Sequence, residues 1–514
     1  MQDLAEKGLY YRTKRKSTMK KQILLFSAGI ILLASACSMK YGYYDSYMSG
    51  NANESATGEI VAPPQSGDSF DEIKENQFIK VADEPLSSFS VDADGAAYAY
   101  MRSCIGRGML PGKNSVRIEE YLNYFTFDYA DPSASSGEML AINAEAGPCP
   151  WNPAHRLLRL GLKGKSLSEE QIPDANFIFL VDVSGSMYGP DRIDLVKSGL
   201  INMVDYMRPQ DRIAIITYSG HVEKTLESTL VGKGADDIKS AIRKLQASGS
   251  TAGGEAMKMA YDEAMAHYSE NANNRIIMCT DGDFNVGVSS TEALTEMVEG
   301  YQKKGIYLSI MGFGYGNFQD SRMEALSNHG NGTYTYIDCE DEMMKVFVTE
   351  RSNFYSVAND TKCQVRFNPE VVESYRLIGY ENRVMSSEEF EDSNKDAGEI
   401  GAGQTVTALY EIVPVKDAPA ASPATFETRY KLSLKDADSR SLVLEVPAAS
   451  EKGSLNLDFA AGVAAYGMCL MESEFKGEAS LSMAKELVMG AAGQDSFRKQ
   501  LVGLIEKAAG LESR

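Results

Sequence analysis

The sequence predicts an α/β protein with a doubly wound, mostly parallel sheet in its central part. A small α+β segment precedes this part, and a β-rich module with a helical tail follows it. The first observation is that short apolar runs alternate with helical periodicity between residues 174 and 357, as in a parallel sheet covered on both faces. The second is that strand-like alternation after residue 358 gives way to three stretches of helical periodicity.

The length and charge of the chain limit the partners it can have. At 514 residues it is long enough for two to four domains, and its formal net charge is −21. Residues 1–36 contain seven Lys and Arg against two acidic residues, so they carry +5 and the remainder carries −26. Because phosphate backbones bind basic surfaces, this balance argues against nucleic acid as a partner.

The beginning of the chain resembles a bacterial export signal. An apolar run of 14 residues, 23–36, follows Lys20 and Lys21 and ends in small residues before Cys37. A membrane-spanning helix needs about 20 apolar residues, so cleavage is favoured over spanning. The residues before Cys37 resemble the lipobox of bacterial lipoproteins, which implies a signal peptide at 1–37 and a lipid on Cys37.

The next two regions differ in their periodicity. Residues 38–80 are rich in small polar residues and show no sustained periodicity, which predicts a flexible tether. Residues 81–165 form the predicted N-terminal segment, with two short helices around Ala97 and Ile118 and a strand from Met139 to Ala146.

Six cysteines follow Cys37, and their spacing leaves both disulfides and free thiols open. They allow fifteen pairings, and an exported location would permit disulfides. Buried unpaired thiols are the alternative. The residues are Cys104, Cys149, Cys279, Cys339, Cys363 and Cys469.

The central part, residues 174–357, begins with a buried strand. Phe177 to Val183 is uncharged except for Asp182, which is typical of a strand buried on both faces. Apolar residues at helical spacing from Ile193 to Met207 predict a helix that Pro209 ends. The other predicted strands are 212–218, 222–230, 275–280, 306–313 and 333–337, and the other predicted helices are 236–245, a helix ending near 268, 291–304, 321–327 and 341–357.

The C-terminal module, residues 358–514, is predicted to contain strands first and helices afterwards. The tail is expected to pack on the strands of this module or on the central part. The predicted strands are 362–367, 374–378, 405–413, 428–434 and 441–446, and the predicted helices are 457–471, 480–489 and 497–508.

Three oxygen-bearing side chains leave the carboxyl end of the first central strand. Asp182, Ser184 and Ser186 occupy positions i, i+2 and i+4 of the loop, and open parallel sheets bind ligands at this edge. Oxygen donors without His or Cys favour Mg²⁺, or alternatively Mn²⁺ or Ca²⁺. The competing interpretation is that Asp182 caps a turn and the serines satisfy backbone donors.

Three separated motifs resemble the metal-ion-dependent adhesion site of von Willebrand factor A domains. They are Asp-Val-Ser-Gly-Ser at 182–186, Gly-Ser-Thr at 249–251 and Thr-Asp-Gly at 280–282. Flanking segments such as Pro-Trp-Asn-Pro at 150–153 resemble a bacterial branch of that family. The resemblance implies a Rossmann-like A domain at 174–357 and five metal ligands, which are Asp182, Ser184, Ser186, Thr251 and Asp281.

Motifs for catalysis are incomplete in this sequence. Gly164-Lys165-Ser166 ends like a phosphate-binding loop, but Arg159 stands where that motif needs glycine. Ser184 stands where a phosphorylated-aspartate mechanism of the haloacid dehalogenase type needs a second Asp. We therefore predict no catalytic residues and no enzyme.

The resemblance also implies a function. Two Asp would roughly neutralise a divalent ion, and Mg²⁺ retains exchangeable waters, so an Asp or Glu of a protein partner would complete the coordination. We expect a lipid-anchored protein of the bacterial cell envelope, at the outer rather than the inner membrane, that binds a protein partner. Two alternatives stay open: an accessory subunit of an ATPase-driven assembly or chaperone system, and a structural envelope protein whose metal stabilises the fold.

Overall fold

The computed structural model describes residues 67–68, 70–249, 254–282, 291–316, 320–393, 395 and 397–512. The predicted signal peptide at 1–37, with Cys37, and residues 38–66 of the predicted tether lie outside these ranges, as does Thr251. Within the described ranges, no helix combines the length and the apolar character that crossing a membrane requires. All six cysteines after Cys37 are free thiols.

Strands and helices alternate in the centre of the chain, and strands cluster on both sides of it. The described strands are β1 (Ile79–Lys80), β2 (Leu86–Ser90), β3 (Leu140–Pro148), β4 (Arg156–Gly164), β5 (Asp174–Asp182), β6 (Arg212–Tyr218), β7 (Val222–Leu230), β8 (Ala272–Thr280), β9 (Ile306–Phe313), β10 (Tyr334–Ile337), β11 (Ser356–Phe367), β12 (Val372–Ile378), β13 (Val384–Met385), β14 (Gly398–Gly401), β15 (Thr405–Pro414), β16 (Ala424–Lys431) and β17 (Arg440–Glu445). The described α-helices are α1 (Ala96–Gly106), α2 (Ile118–Asn123), α3 (Ile193–Val204), α4 (Val231–Arg243), α5 (Gly254–Ala266), α6 (Thr291–Gln302), α7 (Asp320–His329), α8 (Glu340–Met344), α9 (Ser387–Glu391), α10 (Leu455–Leu470), α11 (Leu481–Ala491) and α12 (Ser496–Glu512).

The central sheet has the strand order β10-β9-β8-β5-β6-β7. Its neighbouring strands run parallel, except that β6 and β7 form an antiparallel pair. β5 lies between β6 and β8, and its residues from Ala175 to Asp182 are buried, which explains the near absence of charge in this segment. The predicted doubly wound, mostly parallel sheet is confirmed.

Helices cover both faces of the central sheet, and alternate residues of β5 point to opposite faces. Ile178 and Leu180 pack with α5, α6 and α7 on one face. Phe177 and Phe179 pack with α3 and α4 on the other. α1, from the N-terminal segment, also joins the first of these cores and contacts the edge strand β10.

The strands on the two sides of the central part pair with one another. One antiparallel sheet has the order β1-β12-β15-β4-β3, and the other has the order β13-β2-β11-β16-β17, with β14 beside β11. In the first sheet β4 lies between β15 and β3, and in the second β2 lies between β13 and β11. Both sheets contribute to one apolar core. The N-terminal segment and the C-terminal module are therefore built together, and the predicted boundaries between domains stay predictions.

The C-terminal β-rich part with its helical tail is confirmed. α10 is apolar around most of its circumference because it is buried among α2, α11 and the first antiparallel sheet. The single tryptophan of the chain, Trp151, and Leu409 of β15 belong to the same core. Of the two expected packing positions, the tail thus occupies the one on the strands, together with helices of the N-terminal segment.

One expectation about the elements is wrong, and one strand was not predicted. The last helix of the central part does not run from 341 to 357, because α8 ends at Met344 and is followed by a π-helical turn, Lys345–Thr349, a 3₁₀ turn, Arg351–Phe354, and then β11. Several residues of this stretch are β-branched or are Ser and Asn, which favour a helix weakly. No strand was predicted at β4, because its leucine-rich sequence lacks the β-branched residues that are typical of strands.

The predicted tether ends before residue 80. The amide of Asn76 donates to the carbonyl oxygens of Leu377 and Gly379, at 3.2 and 2.8 Å. β1 pairs with β12, and Phe70 packs against the core of the central sheet. Residues 70–80 therefore belong to the folded part of the chain, because their apolar and amide groups find partners far away in sequence.

Candidate metal centre

Asp182 is the last residue of β5 and lies fully buried at the carboxyl edge of the central sheet. The backbone N–H of Ser184 donates to Asp182 Oδ1 at 2.8 Å, which turns the chain sharply at this point. A 3₁₀ turn, Gly185–Met187, follows. It brings the hydroxyls of Ser184 and Ser186 within 2.9 Å of each other, so the three predicted ligands of this loop lie together.

The loop that carries the Gly-Ser-Thr motif lies directly against this turn. The N–H of Ser248 donates to the carbonyl of Val183 at 2.7 Å, and the N–H of Gly185 donates to the carbonyl of Gly249 at 3.0 Å. These bonds bring the first residue of the motif to the site. Thr251 lies outside the described residues, so its role as a ligand stays a prediction.

Asp281 follows β8, the parallel neighbour of β5, and is 1% exposed. The hydroxyl of Thr280 lies 3.4 Å from Asp182 Oδ2, so the ends of the two strands are in contact. The two carboxylates also interact electrostatically, since the charge of Asp281 raises the pKa of Asp182. The structure thus places Asp182, Ser184, Ser186 and Asp281 at one edge, as predicted from their positions after strands.

Burial dominates the electrostatics of the site. It raises the pKa of the Asp182 carboxyl to about 6, although hydrogen bonds from Ser184 and from the Tyr218 hydroxyl act in the opposite direction. Two neighbouring buried carboxylates are costly because each loses hydration and repels the other. A divalent cation held by these residues would offset both costs.

The donor set fits a hard divalent cation. It offers carboxylate and hydroxyl oxygens, which Mg²⁺, Mn²⁺ and Ca²⁺ prefer, and neither His nor Cys. No group of three or more His, Cys, Asp or Glu side chains placed to hold a metal occurs among the described residues. A metal here would therefore depend on the two carboxylates together with hydroxyls and water.

Two further residues at this edge were missed from sequence. Tyr218 ends β6, the other neighbour of β5, and its hydroxyl lowers the pKa of the Asp182 carboxyl. Its position at a strand end beside β5 is the signal that could have identified it. Arg192 Nε lies 3.7 Å from Asp281 Oδ2. Nothing in the local sequence marks Arg192, since this approach joins residues that are far apart in the chain.

Family comparisons agree with this architecture. The family described as "Uncharacterized protein YfbK, C-terminal" matches residues 352–511. The family described as "von Willebrand factor type A domain" matches residues 177–283, and the one described as "von Willebrand factor" matches residues 64–159. The matches cover the flanks as well as the central sheet.

Individual relatives differ in how much of the chain they share. The Escherichia coli (strain K12) "Uncharacterized protein YfbK" is 35% identical over 467 residues, which cover 86% of this chain and 81% of that protein. The Synechocystis protein sll0103 is 27% identical over 194 residues, covering 38% and 45%. Human inter-alpha-trypsin inhibitor heavy chain H3 is 29% identical over 190 residues, covering 35% and 21%.

Two solved structures align with parts of this chain. The von Willebrand factor type A protein from Catenulispora acidiphila covers 71% of this chain and 89% of its own, at 14% identity and a TM-score of 0.39. BatB from Bacteroides thetaiotaomicron covers 35% and 97%, at 20% identity and a TM-score of 0.30. The relationship to YfbK extends through both flanks and the centre, and the chain belongs to the YfbK family of bacterial proteins with a von Willebrand factor type A domain.

Proposed function

We propose that this protein is a lipid-anchored protein of the bacterial cell envelope whose A domain binds another protein through a divalent ion. Asp182, Ser184, Ser186, Thr251 and Asp281 would hold the ion, and an Asp or Glu of the partner would complete its coordination. The observation that carries the proposal is the meeting of buried Asp182 and Asp281 at the ends of adjacent strands, beside two serine hydroxyls.

The electrostatics of the chain explain why an ion is needed. Residues 37–514 carry −26, which disfavours the approach of an acidic ligand. Screening at physiological salt acts over about 8 Å, so a cation at the sheet edge can reverse the preference locally. We propose Mg²⁺ as the ion, with Mn²⁺ or Ca²⁺ as alternatives, because these ions bind oxygen ligands and keep exchangeable positions.

The proposed role is binding rather than catalysis. A domains commonly mediate protein interactions through such a site. The lipid anchor on Cys37 and the outer-membrane location rest on the sequence of residues 20–37. The protein partner would meet the A domain at its carboxyl sheet edge, where Ser186 is exposed.

The test is capture of partner proteins from envelope extract by the purified protein, with Mg²⁺ or with EDTA, repeated with Asp182→Ala and Thr251→Ala. Asp174→Ala is the matched control, because Asp174 is an exposed carboxylate at the amino end of the same strand. We expect EDTA and both site variants to abolish capture of the same protein and the control to retain it. Retention under all conditions would refute the metal-bridged mechanism.

Two other outcomes would select the alternative functions. An ATPase among the captured proteins would identify the protein as an accessory subunit of an assembly or chaperone system. A lower melting temperature after metal removal, without any change in captured proteins, would identify the metal as a structural stabiliser of an envelope protein.

A further inference from the structure

We propose that Arg192 is a second, fixed positive charge of the metal centre, and that it has two opposite effects. It selects an acidic partner for the loaded site, and it limits the affinity of the site for the ion. The inference rests on the proposed function above and assigns a specificity-determining residue outside the five expected ligands.

The guanidinium of Arg192 is held at the carboxyl edge of the central sheet. Its Nε lies 3.7 Å from Asp281 Oδ2, and its Nη2 donates to the carbonyl of Tyr315 at 2.6 Å. The side chain is only 20% exposed. Arg192 immediately precedes α3, so it is anchored at its backbone by a helix and at its head group by the loop after β9.

The absence of a side chain at Gly314 leaves space for the guanidinium of Arg192. A Cβ at Gly314 would lie 2.3 Å from Arg192 Nε and 2.7 Å from its Cζ, so only glycine leaves room for the guanidinium to lie across the loop. The φ of Gly314 is +75°, a conformation that favours glycine. The hydroxyl of Tyr336 donates to the Gly314 carbonyl at 2.7 Å and holds the loop in place. The position of Arg192 is therefore built into the fold.

Two carboxylates lie near the guanidinium of Arg192, and one of them is also paired with another arginine. Asp191 Oδ1 is 3.9 Å from Arg192 Nη1, but the other oxygen of Asp191 pairs with Arg107 Nη2 at 2.8 Å. Arg107 follows α1 of the N-terminal segment. Because Asp191 also pairs with Arg107, the carboxylate of Asp281 is the main buried counter-charge near Arg192 within the part of the chain that the structure describes.

The charge balance gives the two effects. Asp182 and Asp281 together would be neutral with a divalent ion, and among the described residues Arg192 adds one positive charge to the loaded site. A partner carboxylate is attracted by that excess charge, while the ion itself is repelled by it. If Arg192 only supported the fold, its replacement would weaken the binding of the ion and of the carboxylate together. Opposite changes in the two affinities therefore distinguish the proposal from a structural role.

The test uses Mn²⁺ as the ion and acetate as the simplest carboxylate. Mn²⁺ affinity is measured by electron paramagnetic resonance, and acetate affinity for the loaded protein by the broadening that bound Mn²⁺ causes in acetate NMR signals. The variants are Arg192→Gln, Arg192→Lys and the control Arg212→Gln. The control removes the same charge at the start of β6, the opposite edge of the sheet.

We expect Arg192→Gln to bind Mn²⁺ about 3- to 10-fold more tightly and to bind acetate about 3- to 10-fold more weakly than the original protein. Arg192→Lys should lie near the original protein in both affinities, and Arg212→Gln should match it. Unchanged affinities in Arg192→Gln, or a loss of both together with a lower melting temperature, would overturn the inference while leaving the proposed function intact. Absence of Mn²⁺ binding in the original protein would overturn both.

Discussion

Arg102 of α1 forms a buried ion pair with Asp338, the residue that follows the last strand of the central sheet. Its Nε donates to Asp338 Oδ2 at 2.7 Å, and its Nη2 lies 2.6 Å from Glu342 Oε2. The hydroxyl of Tyr124 accepts a bond from Arg102 and donates one to Glu342. The N-terminal segment and the A domain are thus joined by charges that are shielded from water, with Arg102 only 7% exposed.

Replacing Arg102 by Met should destabilise the protein by about 3–5 kcal/mol, because two carboxylates would remain buried without their cation. The free energy of unfolding from urea titrations measures this effect. Arg366→Met is the control, since Arg366 is exposed on β11, and it should change stability by less than about 0.5 kcal/mol. Equal effects of the two substitutions would contradict the importance of this junction.

Stability should fall between about pH 4.5 and pH 8 because of Glu381. Burial, together with the neighbouring charge of Glu119, raises the pKa of Glu381 from an ordinary value of 4.5 to about 8. The folded state therefore holds a proton that the unfolded chain releases more easily. The stabilising effect is complete below about pH 4.5 and is lost as the pH rises through about 8.

Glu381→Gln should remove part of this pH dependence, because the amide stays neutral at every pH in the range. Urea unfolding at several pH values in this window should show a flatter profile for the variant, with a difference of a few kcal/mol near pH 8. Glu370→Gln changes an exposed carboxylate in the turn after β11 and should leave the profile unchanged. A variant profile that parallels the original would refute the assignment to Glu381.

Asp182→Asn should separate the structural and metal-binding roles of the site. In EDTA the variant should be at least as stable as the original, because a buried charge beside Asp281 is replaced by a neutral group. With Mg²⁺ at 100 times its dissociation constant, the original protein should gain about 2.7 kcal/mol and the variant much less. Calorimetry with and without Mg²⁺ decides, and an equal gain in both proteins would show that Asp182 is not a ligand.

Gly332→Ala should destabilise the central sheet by about 2–3 kcal/mol. A Cβ at this position would lie 1.7 Å from the carbonyl oxygen of Leu308 in β9, which is backbone and cannot move aside. Gly300→Ala is the matched control, since Gly300 lies in α6 with no atom within 4 Å of the added carbon. It should stabilise the protein by up to about 1 kcal/mol. Thermal unfolding of both variants tests the contrast.

The central sheet was predictable because its signals are local. β6 and β9 have the bounds predicted from their apolar runs, since a strand buried on both faces must be apolar along its own length. Polar residues at the carboxyl ends of parallel neighbouring strands lie at the same edge of the sheet. For this reason the proximity of Asp182 and Asp281 could be predicted from the sequence.

Other features depend on contacts between residues that are distant in the chain. The sequence of β4 gives no strand signal, and its place between β15 and β3 follows only from pairing across the two flanks. The approach of Arg192 to Asp281 likewise needs the loop after β9 to pass beneath it at Gly314. The chain alone thus determined the central sheet and the oxygen-bearing side chains Asp182, Ser184, Ser186 and Asp281 at its edge, because each of them lies at or directly after the end of a locally recognisable strand. Tertiary structure decided the joined flanks and the extra charge at the site, because the energy of burying and pairing these groups exists only after distant segments meet.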